Sequence, residues 1–457
     1  MKNIKLIYLI SGVIICLQSS CKKFLDIDAP KDSLSAAQIF KNDEVATSAV
    51  TGIYSGMANS GYASGGNASI TSVCGLSSDE FENYNSSLVE FYENELHPQN
   101  TSIGSLYALP YTHIYTVNAI LEGLSASKGI SATVRSQLEG EAHFVRAFCY
   151  FYLVNLFGPV PLQLNSDYRE SRNNPRAPEA AVYQQIIADL ETAERLLTDT
   201  YVSGERVRPN RAAAEALLAR TYLYMKDWQN AEKYASLVIS KSNIYDLVGL
   251  DEVFIKNSKE IIWSIFPSAN TNSQEGNLFI LQGTPDYVSL RTSFASTAFE
   301  PDDKRKTAWV GNYTDQTGSY DFPYKYKVKS STTISEYSVV FRLAEQYLIR
   351  AEARARQNKL TESATDLDQI RHRAGLLPIK NTHSDINQIQ LLTAIQHERQ
   401  TELFAEWGHR WFDLKRSGLS TAILSPLKAG WKSTDILYPI PTDEISRNHQ
   451  INQNEGY

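Results

Sequence analysis

Pro209-Asn210-Arg211-Ala212-Ala213-Ala214-Glu215-Ala216-Leu217-Leu218-Ala219-Arg220-Thr221-Tyr222-Leu223-Tyr224-Met225-Lys226-Asp227-Trp228-Gln229-Asn230-Ala231-Glu232-Lys233-Tyr234-Ala235 is the stretch that decides the fold. Its apolar residues recur every three or four positions, as on one face of a helix. The pattern breaks once, at Lys226-Asp227, so two amphipathic helices meet at a tight turn. Small Ala219 and Ala231 flank bulky Tyr222. Small side chains let paired helices approach closely, and the aromatic ring fills the gap beside them.

That small–large–small spacing matches a tetratricopeptide repeat. A second pair lies at 340–373, with Ala344, Tyr347, Leu348, Ala351 and Ala355 before the Gln357-Asn358-Lys359 turn and Leu367 and Ile370 after it. Further pairs are expected near 106–157, 178–241 and 387–416. In the first of these, Leu138, Ala142, Val145, Cys149, Leu153 and Leu156 mark a buried face, which Gly158-Pro159 ends. Another helix is expected over 36–58. The fold class is mainly α: a tetratricopeptide-like scaffold of helical pairs with long irregular insertions and a few short strands.

The helical period fades over 59–104 and 242–338. Gly, Ser and Asn crowd the first of these insertions, and the second is polar and turn-rich. Glu260-Ile261-Ile262-Trp263-Ser264-Ile265 reads as a short strand. Rigid scaffolds with long loops usually bind through the loops. Both insertions mix flat aromatics with polar side chains. Such mixtures suit a sugar, whose C–H faces stack on rings and whose hydroxyls need hydrogen-bond partners. Asp79, Tyr84, Tyr92, Tyr287 and Trp309 are the candidate ligand-binding residues.

The chain opens with Lys2 and Lys5, an apolar run from Leu6 to Leu17, and Gln18-Ser19-Ser20-Cys21. This is a secretory signal peptide, too short to span a membrane. Small residues just before a cysteine resemble a bacterial lipoprotein cleavage site, so Cys21 is the expected point of lipidation. The domain reading is residues 1–20 as signal peptide, 21–35 as a lipid-anchored tether and 36–457 as one folded unit. Cys74 and Cys149 remain. Cys149 falls on a buried helix face, and two free thiols are expected, a bridge being the alternative.

Of the 457 residues, 42% are hydrophobic and 21% charged, which is ordinary globular material for a sizeable core. Net charge is -7, and no basic stripe is present, so no nucleic-acid partner is expected. G-x-S-x-G, P-loop and dinucleotide-binding motifs are missing. His397-Glu398 is not followed by His at 401, and no other spacing suits a metal. No cofactor, no metal and no enzymatic activity are expected. The charged run from His397 to Arg416 interleaves Glu398, Glu402 and Glu406 with arginines. It reads as an ion-pair network pinning helices rather than as a catalytic carboxylate pair.

Taken in order along the chain, several segments resemble the SusD/RagB family of outer-membrane nutrient-binding lipoproteins. They are Cys21-Lys22-Lys23-Phe24-Leu25-Asp26, Ser78-Asp79-Glu80, Gly140-Glu141-Ala142, Arg146-Ala147-Phe148, and Tyr152 through Leu162. Later ones are Arg342-Leu343-Ala344-Glu345, Arg371-His372-Arg373-Ala374-Gly375, Arg410-Trp411-Phe412-Asp413, Tyr438-Pro439-Ile440-Pro441 and the terminal Gln453-Asn454-Glu455-Gly456-Tyr457. The resemblance implies a surface lipoprotein held by acyl chains in the outer membrane and facing outward. It implies a TonB-dependent, SusC-like transporter as partner, to which glycans or, alternatively, peptides are delivered. A helical scaffold of an envelope complex is a further alternative. Residues 59–104 contain no Trp, so the ring set of starch-binding members does not carry over, although Asp79 matches an acidic position found there.

Overall fold

The computed structural model describes residues 39–59, 61–267, 271–382 and 385–457. The expected signal peptide, Cys21 and the expected tether lie outside the described residues. The longer helices are α1 (Asp43–Asn59), α2 (Ile70–Ser77), α3 (Thr101–Ala126), α4 (Ala132–Phe157), α5 (Glu179–Leu196), α6 (Arg211–Tyr224), α7 (Trp228–Ile239), α8 (Leu343–Arg356), α9 (Leu360–Arg373), α10 (Gln388–Leu403) and α11 (His409–Ser417). Each helix from α3 to α9 packs on the next, and α10 closes on α8 and α9. The protein is therefore mainly α, a stack of helical pairs.

Two turns show why the pairs repeat. After α6, Lys226 adopts a left-handed conformation with φ 62°, and Asp227 N–H donates to Tyr222 O at 2.9 Å. After α8, Asn358 also has φ 62°, and Lys359 N–H donates to Arg354 O at 2.9 Å. Both are the same C-terminal closure, a bond reaching back five residues over one left-handed residue. Asp227 then caps α7 by accepting from Asn230 N–H. α6 is buried almost all round, as its run of alanines requires: α5, α7 and α8 can approach it only where Cβ is all there is. Arg220 crosses from α6 to α8 and donates to both oxygens of Glu345 at 2.6 Å.

Eight short strands form four two-stranded antiparallel pairs among the described residues. The strands are β1 (Phe81–Asn83), β2 (Val160–Pro161), β3 (Arg176–Ala177), β4 (Ile261–Ile265), β5 (Val288–Leu290), β6 (Val310–Thr314), β7 (Ser319–Pro323) and β8 (Ser338–Arg342). β4 pairs with β8 and places Trp263 in the main core, against Phe144 and Phe148 of α4. Where 340–373 reads as helical from its start, β8 runs to Arg342 and α8 begins only at Leu343. The β-branched Val339-Val340 fit a pleated, buried surface. The early insertion is less irregular than its composition suggests, because α2 runs through it, buried along its whole length.

Cys74 and Cys149 are free and buried. Burial pushes both thiols up to about 12. The charged run near α10 is an ion-pair network: Arg305 reaches Asp303, Glu398 and Glu402, and Arg342 reaches Glu260, Glu402 and Glu406. These pairs tie the late insertion to the helical stack.

Candidate ligand-binding face

Two segments about two hundred residues apart in sequence meet here. β1 of the early insertion pairs with β5 of the late one, in the register Phe81↔Leu290, Glu82↔Ser289 and Asn83↔Val288. Alternation sends Phe81 and Leu290 into the core and leaves Glu82 on the other face. The ladder runs on by one bond, from Tyr84 N–H to Tyr287 O at 2.9 Å. Tyr84 Oη then lies 3.1 Å from Ser289 Oγ, and Asn85 donates to Asp286 O at 3.3 Å. Pairing thus brings Tyr84 and Tyr287 side by side, 41% and 36% exposed. Tyr320 of β7 meets Tyr84 edge to face at 5.8 Å.

Beside these rings lies a cleft of about 540 Å³. Gly66 and Asn67 line it from the early insertion, and Gln274, Asn277, Gln282, Thr284, Asp286, Tyr287 and Lys329 from the late one. Four of these are carboxamides, each offering a donor and an acceptor without charge. Lys329 donates to Asn277 O and Ile280 O, so its ammonium clamps the cleft wall. Gly65 is required in the turn that leads into Gly66 and Asn67. Its φ is +78°, and a Cβ there would sit 2.3 Å from Glu275 Cδ. Burial pushes the Glu275 carboxyl up to about 7, and Ser338 Oγ donates to it.

Of the candidate residues, Tyr84 and Tyr287 lie exposed on the face where the two insertions pair. Tyr92 is half-buried beside it, with its hydroxyl on Glu82 and the Arg291 guanidinium 4.9 Å over its ring. Asp79 is bound to Arg410 by two bonds of 2.7 Å, so its carboxylate is committed to joining α11 to the early insertion. Trp309 is corrected outright: it is fully buried and offers no stacking face. Its indole N–H donates to Leu250 O at 3.0 Å, and its ring packs on Phe254 with the Lys325 ammonium 4.7 Å away. The late insertion has a core of its own, and Trp309 fills it. Asn67, Gln274, Asn277, Gln282 and Tyr320 were missed. Their only sequence signal is the density of amides in turn-rich segments, which also describes ordinary loops.

A helical-repeat scaffold carrying a loop-built surface cleft is the class of protein this geometry defines. Comparison with known proteins narrows it. Residues 23–223 match a family model described as starch-binding and associating with the outer membrane, and residues 263–428 match one described as the SusD family. SusD-like protein P25 of Formosa agariphila is 24% identical, with 96% of this chain and 97% of that one covered. The starch-binding protein SusD of Bacteroides thetaiotaomicron is 25% identical over 80% of this chain and 82% of its own. Among solved structures, a SusD superfamily protein from Bacteroides vulgatus superposes with a TM-score of 0.81 at 22% identity, covering 92% of this chain and all of that one. A laminarin-binding SusD-like protein superposes with a TM-score of 0.77 at 24% identity. The chain belongs to the SusD/RagB family.

Proposed function

We propose that the protein captures glycans at the outer surface of the outer membrane and delivers them, unaltered, to a TonB-dependent, SusC-like transporter. The observation that carries this reading is the cleft between the insertions. It sets four side-chain amides beside two exposed tyrosine rings, and its one cationic side chain is tied to backbone carbonyls. Uncharged donors and acceptors beside a flat apolar face suit a neutral, hydroxyl-rich ligand. The starch-binding and laminarin-binding relatives support the same class. Residues 36–457 act in this reading as one unit, with Cys21 as its lipid anchor.

Soluble laminarin and starch are the probes, titrated against wild type, Tyr84→Ala and Tyr287→Ala. Each truncation should weaken binding by on the order of 0.5–1.5 kcal/mol beyond lost contact area, roughly 2- to 12-fold in Kd, with melting unchanged. Unchanged affinity in both variants would move the site off this face. Binding to a peptide library and to neither glucan would favour peptide capture.

Anchoring has its own test. A Cys21→Ala form should leave the membrane fraction and appear in the soluble one, because the acyl chains supply the membrane affinity. Fractionation identical to wild type would overturn the anchor.

A further inference from the structure

We propose a second saccharide-binding cleft, on the helical stack rather than on the insertions. It shares the ligand class of the function proposed above but none of its residues. Tyr107, Tyr111 and Tyr115 follow one another at intervals of four along α3, which puts their rings on one helix face. Their exposure rises along the row. Tyr107 is 1% exposed, Tyr111 is half-buried, and Tyr115 is 54% exposed. A row of rings therefore leads from the core to the mouth of a cleft of about 420 Å³, closed on its other sides by the chain at 161–172 and the segment 444–451.

The inner rings are fixed. Tyr111 donates to Pro161 O at 2.7 Å, and its ring lies 5.2 Å from that of Tyr107. The Tyr107 hydroxyl is buried beneath them and makes no hydrogen bond of good geometry. Tyr115 has no ring or hydrogen-bond partner among the described residues, and neither packing nor capping accounts for so large an apolar face held in water. The rim supplies the polar half of a sugar site. Gln163 and Glu444 line it, with Glu444 accepting from Arg447 at 3.1 Å, and Arg172 stands exposed there without a carboxylate partner among the described residues. Asn448 closes the wall, buried, its side-chain amide donating to Asn174 O and accepting from Gln450 N–H. A pyranose whose C–H face lies on Tyr115 would present its hydroxyls to Arg172 and Glu444. Tyr168, one turn before Arg172, is 67% exposed.

Two sites on one protein act together only on a ligand long enough to reach both. The second then raises affinity for a polymer and leaves that for a short oligomer unchanged. Four proteins test this: wild type, Tyr115→Ala/Arg172→Ala, Tyr84→Ala/Tyr287→Ala, and the combination. All are run on native gels containing laminarin, starch or xylan and titrated with the matching hexasaccharides, with circular-dichroism melts to confirm the fold. The Tyr115/Arg172 pair should lower polymer affinity by about tenfold or more and leave hexasaccharide affinity at the insertion face as in wild type. Residual retardation of the Tyr84/Tyr287 pair should vanish in the combination. Wild-type retardation of the Tyr115/Arg172 pair in every gel overturns the second cleft. Loss in that pair, with the Tyr84/Tyr287 pair behaving as wild type, keeps the cleft and overturns the insertion-face site instead. No retardation of wild type in any gel overturns both.

Discussion

Replacing Glu402 by Ala should destabilise the protein by about 3–5 kcal/mol at neutral pH. Glu402 sits on α10 and is fully buried. Arg342 donates to it at 2.5 Å and Arg305 at 3.1 Å, and Arg373 bonds to it as well. Those cations serve other acids too: Arg342 and Arg373 both reach Glu260, and Arg342 and Lys325 both reach Glu406. Removing one carboxylate leaves guanidinium groups short of countercharge in a site water cannot enter. That penalty far exceeds the roughly 0–1 kcal/mol typical of surface pairs. Chemical denaturation of wild type and variant reads it directly, and a loss under about 1 kcal/mol would show that water or rearrangement relieves the cluster.

The same group predicts a pH dependence. Burial alone would raise the Glu402 carboxyl, but Arg373, Arg342 and Arg305 outweigh burial and hold it well below the usual carboxylate range. Glu406 is lowered in the same way, burial being outweighed by Arg342 and Lys325. An unfolded glutamate titrates near about 4.3. Stability from these groups is therefore fully present above that value and is lost as pH falls below it toward the folded values. The acid limb of the wild-type stability curve should be steeper than that of the Glu402→Ala variant.

Much of this architecture can be read from local sequence, and the reasons are physical. α4 ends at Phe157 as expected, because Gly158 takes φ +70° and Pro159 cannot continue the helix. The turns at Lys226 and Asn358 are visible as breaks in a 3.6-residue period. β1 and β5 are not visible in this way. Each has three residues, too few for a period, and their pairing joins positions two hundred residues apart. Asp79 and Trp309 fail for the same reason. Asp79 looks free until Arg410, 331 residues later, is placed against it. Trp309 sits among Lys304, Arg305 and Lys306 and looks like a surface ring, but it covers the buried cations of the network with its apolar face. Which ring is covered is decided by tertiary contacts, and composition carries no record of them. Tyr84 and Tyr287 stay exposed because the ladder that aligns their backbones leaves their rings on the solvent side.

Trp263→Ala should cost about 3–5 kcal/mol, the range for deleting a large buried ring. Trp263 is fully buried on β4. Phe144 approaches edge-on at 4.9 Å and Phe148 at 5.3 Å, both from α4. Phe341 of β8 stacks at 5.9 Å with an interplanar angle of 27°, and Tyr54 of α1 closes the far side at 6.4 Å. The indole N–H donates to Val207 O at 3.2 Å. One ring therefore joins α1, α4, the β4–β8 pair and the segment leading into α6. Truncation removes the contacts of four neighbours and orphans the Val207 carbonyl, and rings packed this tightly cannot close the gap. Trp263→Phe separates the two effects: it keeps most of the volume and loses the hydrogen bond, so it should cost less than half as much. Thermal and denaturant unfolding of both variants give the comparison. Equal losses would mean that the hydrogen bond, not the packing, holds this junction. A loss below about 1 kcal/mol for Ala would mean that β4 is not seated in the main core.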